Sequence, residues 1–123
     1  MLRLAIAALL AALAPAAVAA PSQAARAPVR VATETETHEL AIAIKQPRWS
    51  CFSGRIARDG RWASLRRLPH AGCPGLPYAI AIRADARLGW KEARRFATRR
   101  GACASRRPRM SAPLKRGLYG CPR

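Results

Sequence analysis

Glu34, Glu36 and His38 alternate with Thr33, Thr35 and Thr37 at the start of a run covering residues 31–45. On an extended chain successive side chains point to opposite faces, so the two carboxylates and the imidazole are expected on one side of a strand. Such a trio has the chemistry to hold a divalent metal or to give and take a proton. A solvated strand edge in a strongly basic chain also needs acidic side chains for charge balance, and that plainer role is the expected one. His38 and His70 are the only histidines. With Glu39 and nearby arginines they have the groups for phosphodiester cleavage, but nothing in the linear sequence joins them, and His70 lies in a Pro/Gly loop where a polar residue needs no special reason. No Gly-x-Ser-x-Gly elbow, phosphate-binding glycine loop or His-Glu-x-x-His pair is present, and Ser50 and Ser53 flank Cys51 without an evident base. No catalytic residue, metal site or cofactor is assigned.

Four cysteines, Cys51, Cys73, Cys103 and Cys121, are separated by 21, 29 and 17 residues. Zinc sites use close ligand pairs, which these intervals do not provide, so two disulfides are expected. Three connectivities are open. Loop closure favours Cys51 with Cys73 and Cys103 with Cys121, because shorter loops close most easily.

The remaining chemistry is charge. The 123-residue chain carries 23 Lys and Arg, of which 20 are Arg, against 6 Asp and Glu, for a net charge of +17. Arg55, Arg58, Arg61, Arg66 and Arg67 fall in or beside one segment; Lys91, Arg94, Arg95, Arg99 and Arg100 in a second; Arg106, Arg107, Arg109, Lys115 and Arg116 in a third. Guanidinium groups suit bidentate contacts with phosphate or carboxylate, and Trp49, Trp62 and Tyr119 are interleaved as possible stacking surfaces. The plainer readings are a genome-wide bias toward Arg, Ala, Gly and Pro, and tryptophans that serve as core or disulfide cover.

These residues must be positioned by a small domain. Met1-Leu2-Arg3, an apolar run to Leu13, Pro15 and a small-residue stretch ending at Ala19-Ala20-Pro21 read as a secretory signal over residues 1–20. Residues 21–30 read as a flexible lead-in, and 31–123 as a single domain. Leu40, Ile42 and Ile44 continue the alternation of the acidic run and predict a strand. Residues 49–57 and 61–65 predict a hairpin about Asp59-Gly60, with Ile56 pairing near Trp62. A Pro/Gly loop over 69–77 precedes a strand marked by Tyr78, Ile80 and Ile82. Trp90, Ala93, Phe96 and Ala97 share a face at helical spacing, predicting an amphipathic helix over 89–101 capped by Gly89 and ended by Gly101. The basic segment from Arg106 to Arg116 reads as irregular. The fold class is α+β: a small disulfide-bonded domain with a mainly antiparallel sheet, a hairpin at Asp59-Gly60 and one amphipathic helix. Residues 40–45 and 78–83 resemble each other, as two core strands of one sheet would.

The strand-plus-helix pattern of residues 78–101 resembles the half-repeat of peptidoglycan-binding sporulation-related repeat domains. The resemblance covers about a fifth of the chain, rests on pattern without a diagnostic motif, and assigns no family. The expected function is that of a periplasmic or secreted cationic protein binding an anionic polymer: lipopolysaccharide, peptidoglycan or nucleic acid. The alternatives are an interaction module or inhibitor for an acidic protein, and a cationic secreted hydrolase or nuclease.

Overall fold

Ala79, Ile80, Ala81 and Ile82 are all fully buried. A strand buried on both faces must find hydrogen-bond partners along both edges and apolar cover above and below. The computed structural model, which describes residues 27–69, 72–87 and 89–123, supplies both. Strands β1 (Val29–Val31), β2 (Phe52–Ala57), β3 (Trp62–Arg67), β4 (Ala79–Asp85) and β5 (Gly89–Phe96) form one antiparallel sheet in sequence order. Helix α1 (Glu34–Ala43) covers one face, and α2 (Arg99–Ala104) and α3 (Ala112–Tyr119) cover the other. The chain is a small disulfide-bonded α+β domain. The segment 1–20 read as a secretory signal, most of the lead-in, and His70 lie outside the described residues.

Alternation sorts the sheet residues between two cores. Phe52, Ile56, Ala63, Leu65, Ile80 and Ile82 pack against Leu40, Ala41 and Ile44, while Val29, Ala79, Ala81 and Phe96 pack against Ala102, Leu118 and Tyr119. Gly54 lies on the first face, where an added Cβ would stand 2.6 Å from Thr37 Oγ1 and 3.0 Å from Ala32 Cβ. The absence of a side chain there lets α1 approach β2. The Asp59-Gly60 hairpin forms as expected, with Ile56 opposite Ala63, one residue along from Trp62.

Four expectations are corrected. The run expected as a strand over 31–45 is mostly α1. Thr37, Leu40, Ala41 and Ile44 are its buried residues or cap, a 3–4 spacing hidden inside the Thr/Glu alternation. Thr33 and Glu36 form a capping box that starts it: Glu36 N donates to Thr33 Oγ1 at 3.1 Å and Thr33 N donates to Glu36 Oε1 at 2.9 Å. Residues 89–96, expected as the amphipathic helix, are β5, because β4 needs a second partner and β5 pairs antiparallel beside it, starting at Gly89 with φ +83°. A helix does follow, but it starts at Thr98, whose Oγ1 accepts from Gly101 N. The C-terminal segment expected as irregular contains α3, opened by Ser111, with a proline in its first turn and Gly120 at φ +72° closing it. Finally, β1 begins at Val29, inside the expected lead-in, and pairs with residues 55–57. Since 89–96 is a strand, the strand-plus-helix likeness to the sporulation-related half-repeat does not hold, and the similar segments 40–45 and 78–83 adopt different structures.

Both disulfides join the expected partners, Cys51 with Cys73 and Cys103 with Cys121, and no cysteine is free. The first ties the start of β2 to the loop after β3; the second ties α2 to the residue after Gly120. Two structural disulfides belong to an oxidising, extracellular-type environment. Among the described residues no helix is long and apolar enough to cross a membrane.

Candidate anion-binding site

Arg55 and Ser64 are directly paired across β2 and β3, and Ser53 is paired with Arg66. Arg55 and Arg66 are therefore diagonal neighbours on one sheet face, a separation of roughly 7–8 Å between backbones. With Ser53, Arg67, Leu68, Pro69 and Tyr78 they line a cleft of about 430 Å³. Arg55 is half-buried, and its Nη1 donates to Ser53 Oγ at 2.6 Å and to the Gly54 carbonyl at 3.2 Å. Arg67 Nη1 donates to the Leu76 carbonyl at 2.6 Å. Among the described residues none of the three guanidinium groups is ion-paired, since the two salt bridges formed are Arg30–Glu36 and Arg95–Glu92. Burial lowers the Arg55 pKa from its ordinary value, and the charge of Arg66 lowers it further. Two cations thus share a partly desolvated cleft, with no carboxylate paired to either among the described residues.

Gly120 shapes the back of this cleft. It closes α3 in the left-handed conformation, and a Cβ on it would collide with Arg66 Nη1 and lie 3.4 Å from the Tyr78 hydroxyl. Tyr78 in turn donates to the Tyr119 carbonyl at 2.5 Å. Ser53, Tyr78 and Gly120 were not among the expected site residues. A left-handed glycine after a Ser-started helix was the available signal for Gly120, but its nearness to Arg66 depends on α3 lying across β3.

The other expected binding residues are not brought to this cleft. Arg94 and Arg107 join Trp62, Arg83, Glu92 and Pro108 around a second cleft of about 410 Å³, where Arg94 lies 5.2 Å from the Phe96 ring centroid and donates to the Arg107 carbonyl. Lys91 is paired with Arg83 across β4 and β5. Arg106, Arg109 and Lys115 line a third, with Lys115 Nζ donating to the Ser105 carbonyl. Arg99 and Arg100 line a fourth beside Cys103. Arg58 and Arg61 are exposed at the β2–β3 turn, Arg58 donating to the Ala27 carbonyl. Arg95 is paired with Glu92, whose hydrogen bonds raise its pKa. Arg116 is exposed in the last turn of α3. Tyr119 is fully buried, its pKa pushed up to about 12 by burial against a smaller opposing effect of Arg94, so it offers no stacking surface.

The acidic trio does not assemble as expected, because its backbone is helical. Glu36 is held by Arg30, Nη1 and Nη2 donating at 2.8 and 2.7 Å, and by the Thr33 backbone, which together lower its pKa to about 2. It is a fixed carboxylate. His38 instead meets the Trp49 ring at 4.8 Å between centroids. Among the described residues no three His, Cys, Asp or Glu side chains converge as a metal site.

Comparison with known proteins returns no match. No family model, no curated protein and no solved structure is similar to this chain.

Proposed function

We propose that this is a periplasmic or secreted cationic binding protein for an anionic envelope or extracellular polymer, and that the Arg55–Arg66–Arg67 cleft holds the anionic group. The observation that supports this reading is the half-burial of Arg55 beside Arg66 with no carboxylate paired to either among the described residues. Folding normally pairs a desolvated charge, so a cationic cleft left without a counter-ion suits a ligand that brings one. Planar guanidinium groups on adjacent strands match the bidentate geometry of phosphate or carboxylate oxygens. The remaining arginines, dispersed over separate clefts, supply long-range attraction that raises the encounter rate.

Binding to heparin, duplex DNA and lipopolysaccharide, titrated against salt, tests the proposal. Affinity for a linear polyanion is expected to fall linearly on a log–log scale with salt. Arg55→Gln with Arg66→Gln is expected to weaken it by about tenfold or more at fixed salt. Equal affinities for this double variant and for the natural protein, or no binding to any of the three, would defeat the reading.

A further inference from the structure

Ser53 and Leu68 line the arginine cleft and also a neighbouring cleft of about 350 Å³ bounded by Ala32, Glu34, Thr37, Trp49, Ser50 and Phe52. The two meet there because β1 stops short. Its pairing with β2 ends at Val31 opposite Arg55, and after the last backbone bond, Ala32 N to the Gly54 carbonyl, the Ser53 end of β2 keeps β3 on one edge and has no strand on the other. The chemistry changes across this boundary. On one side, on the sheet face covered by α3, stand the guanidinium groups of Arg55 and Arg66. On the other are an aromatic side chain, the exposed Ser50 and Glu34, and no cation. Trp49 is half-buried, resting on the first core while lining the cleft. Glu34 has no ion-pair partner among the described residues.

We propose that the adjoining clefts form one site for an acidic saccharide that passes around the open edge of β2, with its carboxylate or phosphate between Arg55 and Arg66 and a sugar ring against Trp49. This rests on the anion-binding reading above and specifies its ligand class. A uniformly charged chain such as a nucleic acid would bring phosphate toward the Glu34 carboxylate, and like charges repel. A sugar ring brings hydroxyl groups, which donate to Glu34 and exchange hydrogen bonds with the serines, while its C–H face packs on an aromatic surface. The neutral, hydroxyl-bearing part of the ligand is therefore assigned to the Trp49 end and the charge to the arginine end.

An aldotriouronate (one glucuronate joined to two neutral xyloses), its methyl ester, a phosphorylated lipopolysaccharide core oligosaccharide and a short oligothymidylate test the assignment, read by calorimetry on the folded protein. The aldotriouronate is expected to bind and its ester to bind about tenfold more weakly, since the ester keeps the rings and loses the charge. Preference for the aldotriouronate or for the core oligosaccharide identifies carboxylate or phosphate as the anionic group. Trp49→Phe, with its fold checked by circular dichroism, is expected to weaken saccharide binding about tenfold. Glu34→Gln changes an exposed residue and carries the opposed signs: about fivefold weaker aldotriouronate binding, with oligothymidylate binding unchanged or tighter. If Glu34→Gln tightens both ligands, or both variants leave the aldotriouronate unaffected while Arg55→Gln still weakens it, the saccharide assignment is overturned and the anion cleft stands. If Arg55→Gln also has no effect, both are overturned.

Discussion

Arg30 and Arg55 lie on neighbouring strands of the same sheet, each close to the β1–β2 pairing, yet their charges have different fates. Arg30 reaches α1 and grips Glu36 through two nitrogens, so its guanidinium is part of the scaffold and its pKa is raised by that hydrogen bonding. Arg55 finds a hydroxyl and a carbonyl, shares its cleft with a second cation, and has its pKa lowered. The difference is one of partners. An arginine count cannot separate the two cases, whereas burial and the presence of a carboxylate can.

The strongest way to break the contrast is to remove the Cys51–Cys73 bridge. Cys51→Ser with Cys73→Ser is expected to cost about 3 kcal/mol of unfolding free energy, measured by urea denaturation, and to weaken anion binding by loosening Leu68 and Pro69 in the cleft wall. Gly120→Ala comes next. Its left-handed backbone costs about 1–3 kcal/mol for a residue with a Cβ, and the clash displaces Arg66, so melting temperature and anion affinity should fall together. Gly60→Ala serves as the control: its φ is also positive, at +75°, but a Cβ there meets nothing within 4 Å, so stability should drop while affinity is retained. Arg66→Gln sharpens the contrast in the other direction. Affinity for heparin should fall by about tenfold, with stability unchanged or raised because a repulsion in the cleft is relieved.

The smallest effect is expected at the paired arginine. Glu36→Gln should lower the melting temperature by a few degrees at neutral pH and leave anion binding intact. Since the folded state holds the Glu36 pKa at about 2 instead of the ordinary 4.5, its contribution is present above pH 4.5 and is lost as pH falls toward 2. The melting temperatures of variant and natural protein should therefore converge across that interval.

Much of this was legible before folding. The disulfide partners, the Asp59-Gly60 hairpin and the strand through Ile80 and Ile82 follow from loop length, turn chemistry and alternation. Residues 34–43 and 89–96 were not, because each carries two periodicities. Thr37, Leu40, Ala41 and Ile44 have helical spacing within an alternating run, and Trp90, Ala93 and Phe96 have helical spacing within a strand. The Thr33-x-x-Glu36 box was the local signal that separated them in the first case. In the second the deciding requirement lay in another strand, the unsatisfied edge of β4.

The amino-acid sequence by itself determined the charge, its dominance by arginine, the disulfide framework and the presence of strands and helical turns, since these depend on composition and short-range stereochemistry. Tertiary structure alone decided which arginines meet. Arg55 and Arg66 become neighbours through the β2–β3 register, Gly120 reaches Arg66 because α3 crosses that face, and Arg30 is neutralised because α1 begins where Glu36 can reach it. Electrostatic character depends on distance and on access to water, and neither quantity exists until the sheet and its covering helices are assembled.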